Sequence, residues 1–488
     1  MKAKAFLFFL IFFSFFSSAV VPPAAASQPV DATQLAAWIT AGVSSTRLTR
    51  LVQEGDVVQI SKQDLARLQG AGAEKNLIRV LSISKSSVST GPSTPIPPVL
   101  LKAAAAAHQH NYHEAELLLR QVLAKDPQNA ALHFALGAML RQQEQLDDAF
   151  DEITESARLM PDFPENHTSL AYIFYRLDDG PNAIAEARTA LSMDPQNSEA
   201  YQILGLGLYS NGQYDAAVHA FEESLARDPE NADTYYDVGI ALHAGGNMPG
   251  ALAAYHKALH LRPALWEAHS NIALTLHEEG RLHEALAEYL EAKRLAPEEP
   301  SVRSNLGNTY CDLGDFNAAI AEMQELYRRH PEWQQGHGCL ASAYMAKKNY
   351  EAAIVELRLA LQQNPTGANE HRILGQALLL DNQVEAATRE FRLAVSLNPD
   401  SDISHHYLGT VLFQQQQLPA AEKEFREALR LKASADNHYS LAACLMTMER
   451  FEEALSELES ASRLDPGRTL YRARRDELIK MMKSPTAR

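Results

Sequence analysis

Residues 198–231 read SEAYQILGLGLYSNGQYDAAVHAFEESLARDPEN, and this stretch decides the fold. Apolar residues recur at helical spacing in two runs, and Gly212 sits between them as turn punctuation. Pro229 ends the second run, because proline lacks the N–H and crowds the preceding turn. Gly205 in the first run and Ala217 in the second are small enough for two helices to approach closely, and Leu204, Leu208 and Phe221 fill the gap between them. Helices of about a dozen residues are marginal alone in water. Such a hairpin is stabilised only by stacking on another.

The neighbours are present on both sides. Pro127, Pro161, Pro195, Pro229, Pro263, Pro297, Pro331, Pro365 and Pro399 stand 34 residues apart, Ala433 takes the next step, and Pro466 comes one residue early. Twelve residues before each proline lies a small residue, as at Ala115, Ala149, Ala183, Ala251, Ala319 and Ala387, and eight before it a larger one, as at Tyr255, Tyr289, Phe391 and Phe425. Pairs such as Leu136-Gly137, Leu306-Gly307, Leu374-Gly375 and Leu408-Gly409 open the first helices, with an aromatic three residues on at Phe174, Tyr310 and Tyr344. If the proline is position 32 of each repeat, positions 4, 7, 8 and 11 share one helical face and positions 2, 5, 9 and 12 the other.

The order W/H-x2-L-G/A-x2-Y/L, A-x3-F/Y, P at this period resembles the tetratricopeptide repeat (TPR). The resemblance implies an all-α, right-handed TPR solenoid of about eleven helix-turn-helix repeats over residues 96–468, roughly three quarters of the chain. It also implies protein or peptide partners held in a concave groove. The first copy departs from the pattern, with Lys102-Ala103 at the pair, as a terminal repeat does.

Outside the array, residues 1–26 have Lys2 and Lys4, then an apolar run at 6–16, then small residues, the layout of an exported bacterial signal peptide. Cleavage is expected after Ala26 or after Ala19, giving a periplasmic or secreted protein. The alternative is an uncleaved inner-membrane tether, the only membrane contact expected. Residues 31–83 have the spacing of a small helical unit, 84–98 form a Ser/Thr/Pro linker, and 469–488 form a capping helix and tail. The formal charge of −17 argues against nucleic acid, whose phosphates require clustered bases.

Several residue types recur at fixed repeat positions. His133, His167, His269, His337, His371, His405 and His438 all take position 4, where family members often carry a packing Trp, so a packing role with one hydrogen bond is expected. The groups His108/His110/His113 and His256/His260 lack further ligands for zinc. No metal or cofactor is expected. Glu165, Glu199, Asp233 and Glu267 recur at position 2, either as an acidic strip on the groove wall or as first-turn acids complementing the helix dipole. Tyr172, Tyr175, Tyr209, Tyr236 and His243 share that face and are candidate partner anchors.

The carboxylate clamp of some family members is not matched, since its positions hold Phe134, Ala138, Ser169, Glu199 and Ile203. Asn271 and Asn305 at position 6 resemble two rungs of the asparagine ladder of an O-linked sugar transferase. Cys311 and Cys339 stand at positions 12 and 6 of neighbouring first helices. With those helices in register the offset is about 9 Å of rise, beyond disulfide reach, so free thiols are expected. No GxSxG, P-loop, HExxH or dinucleotide fingerprint occurs. The expected function is a non-enzymatic protein-interaction scaffold of the cell envelope. The alternatives are a periplasmic component of a secretion or polysaccharide-export machine, and an accessory subunit of an enzyme such as a transferase.

Overall fold

The computed structural model describes residues 30–54, 60–83 and 95–483. The expected signal segment, most of the linker and the last residues of the tail lie outside them. The described residues hold twenty-seven α-helices and no strand, so the chain is an all-α helical-repeat solenoid. It divides into two compact units, residues 1–245 and 246–488.

The first unit begins with α1 (Ala32–Thr40), α2 (Ser45–Glu54), α3 (Lys62–Gly70) and α4 (Lys75–Ile83). Four hairpins follow: α5 (Pro98–His108) with α6 (Tyr112–Leu123), α7 (Ala130–Gln142) with α8 (Leu146–Leu159), α9 (Pro164–Arg176) with α10 (Gly180–Met193), and α11 (Ser198–Ser210) with α12 (Tyr214–Leu225). The helix α13 (Ala232–Ala244) closes the unit. The N-terminal helices share one core with the first repeats: α1 packs on α5 and α7, with Leu35, Ala36 and Trp38 buried.

The second unit opens with α14 (Met248–Leu261). Six hairpins follow: α15 (Trp266–Glu278) with α16 (Leu282–Leu295), α17 (Pro300–Asp312) with α18 (Phe316–Arg329), α19 (His337–Ala346) with α20 (Tyr350–Gln363), α21 (Ala368–Leu380) with α22 (Val384–Leu397), α23 (Asp402–Gln414) with α24 (Leu418–Leu431), and α25 (Ala435–Thr447) with α26 (Phe451–Leu464). Last comes α27 (Thr469–Lys483), which buries Tyr471 and Leu478 against α26.

Local chemistry explains the hairpins. Asn129, Asn197 and Asn231 cap first helices by accepting from backbone N–H groups three residues on, as Asn111, Asp179, Asp315 and Asn349 do for second helices. The turn between them needs a left-handed residue. Glycine takes it at Gly212, Gly280 and Gly314, but Glu144, Asp178, Lys348, Asn382, Gln416 and Glu449 adopt the same φ near +60°. Close approach at position 8 is as tight as the sequence implies: a Cβ on Gly205 would stand 2.4 Å from the Phe221 ring. In the next hairpin back both positions are small, and Ala171 and Ala187 share a buried cluster with Ile203.

One expectation is overturned. Cys311 and Cys339 form a disulfide with Cα atoms 6.1 Å apart. The 9 Å offset assumed first helices in axial register, but they slide along one another. Thr168 meets Asn197 across 29 residues and His406 meets Asn437 across 31, not 34. In addition α19 starts late, behind Gly336 at φ 96°, so Cys339 lies in its first turn. Cys444 is a buried free thiol, and burial pushes its pKa up.

Candidate partner groove

Position 4 is structural. The Nδ1 atoms of His133, His167, His269, His337, His371, His405 and His438 lie 2.5–2.7 Å from carboxylates of Glu152, Glu186, Glu288, Glu356, Glu390, Glu424 and Glu457, each nineteen residues further on. Arg303 takes the same place against Glu322 at 2.8 Å. For His133, His371 and His405 the other ring nitrogen meets the carbonyl of Pro127, Pro365 and Pro399 at 3.1, 3.2 and 3.0 Å. Carboxylate and carbonyl are both acceptors. These pairs tie the first helix of a repeat to its second. Where position 4 is Tyr201 or Tyr235, the partner position is Ala220 or Ala254. Among the described residues no group of three metal-ligating side chains forms.

The other face of the first helices lines the groove, and in the first unit its beginning is already occupied by this chain. The Trp38 ring stacks on Phe163 at 4.9 Å, and Phe163 meets Phe134 edge-on at 5.2 Å. From α2, Arg47 Nε donates to Glu165 Oε1 at 2.5 Å, while Arg47 and Arg50 approach Asp194 at 3.3 and 3.1 Å. Glu165 is 8 % exposed, so this member of the expected acid row is covered by the N-terminal helices. Burial pushes its carboxyl up and the Arg47 guanidinium pulls it back down.

Glu199 and Asp233 stand exposed further along, with Arg141 3.7 Å from Glu199. The Arg141 guanidinium lies over the Tyr172 ring at 4.8 Å. Arg176 donates to Tyr172 Oη at 3.0 Å and to both oxygens of Glu144 at 2.8 and 2.6 Å. Tyr175, Tyr209, Tyr236 and His243 are half-buried, and Tyr209 contacts Tyr214 with ring centroids 5.7 Å apart. Burial, then the charge of Asp237, pushes the Tyr175 hydroxyl up. Glu267 is half-buried in the second unit, so the row divides between the units.

Sequence reasoning passed over Asp237 as a groove residue. On α13, one turn beyond Asp233, its carboxylate accepts from Gln202 Nε2 at 2.8 Å. Burial pushes its pKa up to about 7; the Gln202 bond opposes the rise and the charge of Asp233 adds to it. The roles of Arg47 and Arg50 were also missed. Their spacing at i, i+3 on an amphipathic helix was the available signal.

The tetratricopeptide repeat profile matches residues 100–162, 204–265, 250–300, 304–369, 374–438 and 407–469, more than half of the chain. The chain belongs to the tetratricopeptide-repeat family. Human tetratricopeptide repeat protein 28 is 28 % identical over 116 residues, which cover 22 % of this chain and 5 % of that relative's length. Among solved structures, MamA (residues 41 to the end) of Desulfovibrio magneticus RS-1 is 22 % identical, covers 34 % of this chain and 94 % of its own, and has a TM-score of 0.33. Yeast Tom70 is 15 % identical over 78 % of this chain and 93 % of its own, with a TM-score of 0.33. The Cut9–Hcn1 hetero-tetramer structure gives 13 %, 87 %, 94 % and 0.41. At these identities and scores, no partner or activity transfers from them. The family membership supports a protein-interaction scaffold with protein or peptide partners.

Proposed function

We propose that this TPR protein is an exported, non-catalytic scaffold that holds peptide or protein partners in the cell envelope. The observation that carries the binding role is the groove of the first unit. There Tyr175, Tyr209, Tyr236, His243, Glu199 and Asp233 remain at least partly accessible on first helices, whereas Glu165 is covered by α2. Aromatic side chains beside hydrogen-bonding groups are the residues that anchor partners at interfaces.

Export is supported by the layout of residues 1–26 and by the disulfide between Cys311 and Cys339, a bond that persists in oxidising compartments. Fractionating cells that express the full chain, with N-terminal sequencing of the product, tests location. A mature start at residue 20 or 27 in the periplasmic or secreted fraction is expected. An intact N-terminus in the membrane fraction supports the tether instead, and reduced cysteines in a cytoplasmic fraction refute export. Affinity capture from envelope extract, with the partner's contacts mapped by cross-linking, tests the scaffold role. It fails if the groove of the first unit gives no cross-links to any partner.

A further inference from the structure

The inner face of the first unit already displays one ligand, its own α2. Arg47 and Arg50, one helical turn apart, reach the carboxylates of Glu165 and Asp194. Beside that contact lies a cavity of about 190 Å³, walled by Arg47, Arg141, Glu165, Ser169, Asp194 and Glu199. Glu165 is more than nine-tenths buried and is among the residues around the cavity; its Oε1 accepts from Arg47, and its Oε2 receives no hydrogen bond. A buried carboxylate oxygen without a donor carries an uncompensated desolvation cost.

The same chemistry continues outward. Glu199 is exposed on the cavity rim, and Arg141 at 3.7 Å stands beyond hydrogen-bond distance. On α13 Asp233 is exposed, and Asp237 beneath it accepts from the neutral amide of Gln202. The nearby arginines are engaged: Arg176 by Glu144, Arg47 and Arg50 by the acids they bind, and Arg141 by the Tyr172 ring and its ion pair with Glu199. Tyr172 already carries a guanidinium on its face, so the tyrosines of this wall suit cations.

We propose that the track from the Glu165 cavity through Glu199 to Asp237 receives a basic segment of a protein partner, whose arginine or lysine side chains extend the line begun in cis by Arg47 and Arg50. The proposal rests on the scaffold reading and specifies the partner's chemistry. The cavity itself balances Arg47, Arg50 and Arg141 against Glu165, Asp194 and Glu199, but beyond it an anionic partner meets the carboxylates of Glu199, Asp233 and Asp237. A basic one replaces desolvated, weakly satisfied oxygens with charge-assisted hydrogen bonds.

The test is fluorescence anisotropy of the full chain with labelled octa-arginine and octa-glutamate peptides at about 0.15 M salt, where long-range attraction is screened. Octa-arginine is expected to bind, and Glu199→Gln/Asp237→Asn to weaken it about tenfold, a loss of ~1.4 kcal/mol. The control Glu452→Gln/Glu459→Gln, at exposed acids of α26, should change it less than about twofold, as rim charges do. Glu199→Gln alone, at an exposed side chain, keeps the test valid if the double variant unfolds, and should weaken binding about threefold. Equal losses in the groove and control variants would show attraction to net charge only and overturn the proposal, as would tighter binding of octa-glutamate. Partner capture by the double variant separates the two readings. If captured partners keep their groove cross-links in it, the scaffold stands and the basic track falls. If the wild-type chain gives no groove cross-links, the scaffold reading itself falls.

Discussion

Replacing Asp237 with asparagine should stabilise the first unit at neutral and alkaline pH. Burial raises this carboxyl from 3.8 to about 7. The folded state therefore holds the proton more tightly than the unfolded chain, and stability contributed by the protonated form is lost as pH rises from about 4 to about 7. A shift of about three units at 1.36 kcal/mol each sets a ceiling of ~4 kcal/mol on the penalty at pH 8. The amide of Asp237→Asn would keep an oxygen for the Gln202 side chain and carry no charge to desolvate. The variant should gain about 2–4 kcal/mol at pH 8 and nothing near pH 4. In a repeat array the effect is read most directly on the unit that carries the substitution. Hydrogen exchange of peptides from α11 to α13, compared between wild type and variant from about pH 5 to about pH 8 after correction for intrinsic rates, reads the local free energy. A gain that is absent at the alkaline end, or the same at every pH, refutes the argument.

Gly205→Ala gains about 1 kcal/mol of helix propensity but drives a Cβ to within 2.4 Å of Phe221. Overpacking of about 1–3 kcal/mol should win, lowering the thermal midpoint by circular dichroism, with rescue by Phe221→Leu. Glu424→Ala removes the 2.6 Å partner of nearly buried His405, a loss of about 1–3 kcal/mol in urea titration. The double change His405→Tyr/Glu424→Ala, the pairing that Tyr201 and Ala220 use, should recover part of it. Reducing the Cys311–Cys339 bond, which spans 28 residues, should cost about 3–4 kcal/mol of local stability and expose residues 331–336 to protease; Cys311→Ser/Cys339→Ser should not respond to reductant. Gln416→Gly, at φ 60°, should raise the urea midpoint by an amount worth about 1 kcal/mol, because glycine adopts that conformation without a Cβ clash.

The fold was legible because every determinant is local and repeated. The prolines fix where second helices stop, Gly205 and its equivalents fix where hairpins close, and both recur at 34 residues. The His–Glu pairs were equally readable, since glutamate appears nineteen residues after each position-4 histidine and alanine after Tyr201 and Tyr235, but position 4 was read without its partner. The disulfide was not readable from the repeat. Its geometry depends on how far α19 slides past α17 and on the late helix start behind Gly336, neither of which the period encodes. Nor did the period reveal the cover over Glu165, because Arg47 lies outside the array, 118 residues away in sequence.

These departures bear on where the groove functions. A repeat that only stacks needs its small–large contacts and its tie between helices. Repeats two, three and six to eleven have a His–Glu or Arg–Glu tie, whereas repeat four carries Tyr201 with the Arg227 guanidinium over its ring at 4.2 Å, and repeat five carries Tyr235. Those same two repeats contribute Glu199, Tyr209, Asp233 and Asp237 to the inner face. Asp237 gives them a charge that the fold desolvates without pairing it to a cation in the way Arg47 serves Glu165. Stability alone favours a neutral residue there, by the several kcal/mol estimated above. Local rules that a sequence breaks against its own stability mark places where a second requirement acts. In this chain that requirement is best met by a partner bringing its own basic side chain to Asp237, as α2 brings Arg47 to Glu165.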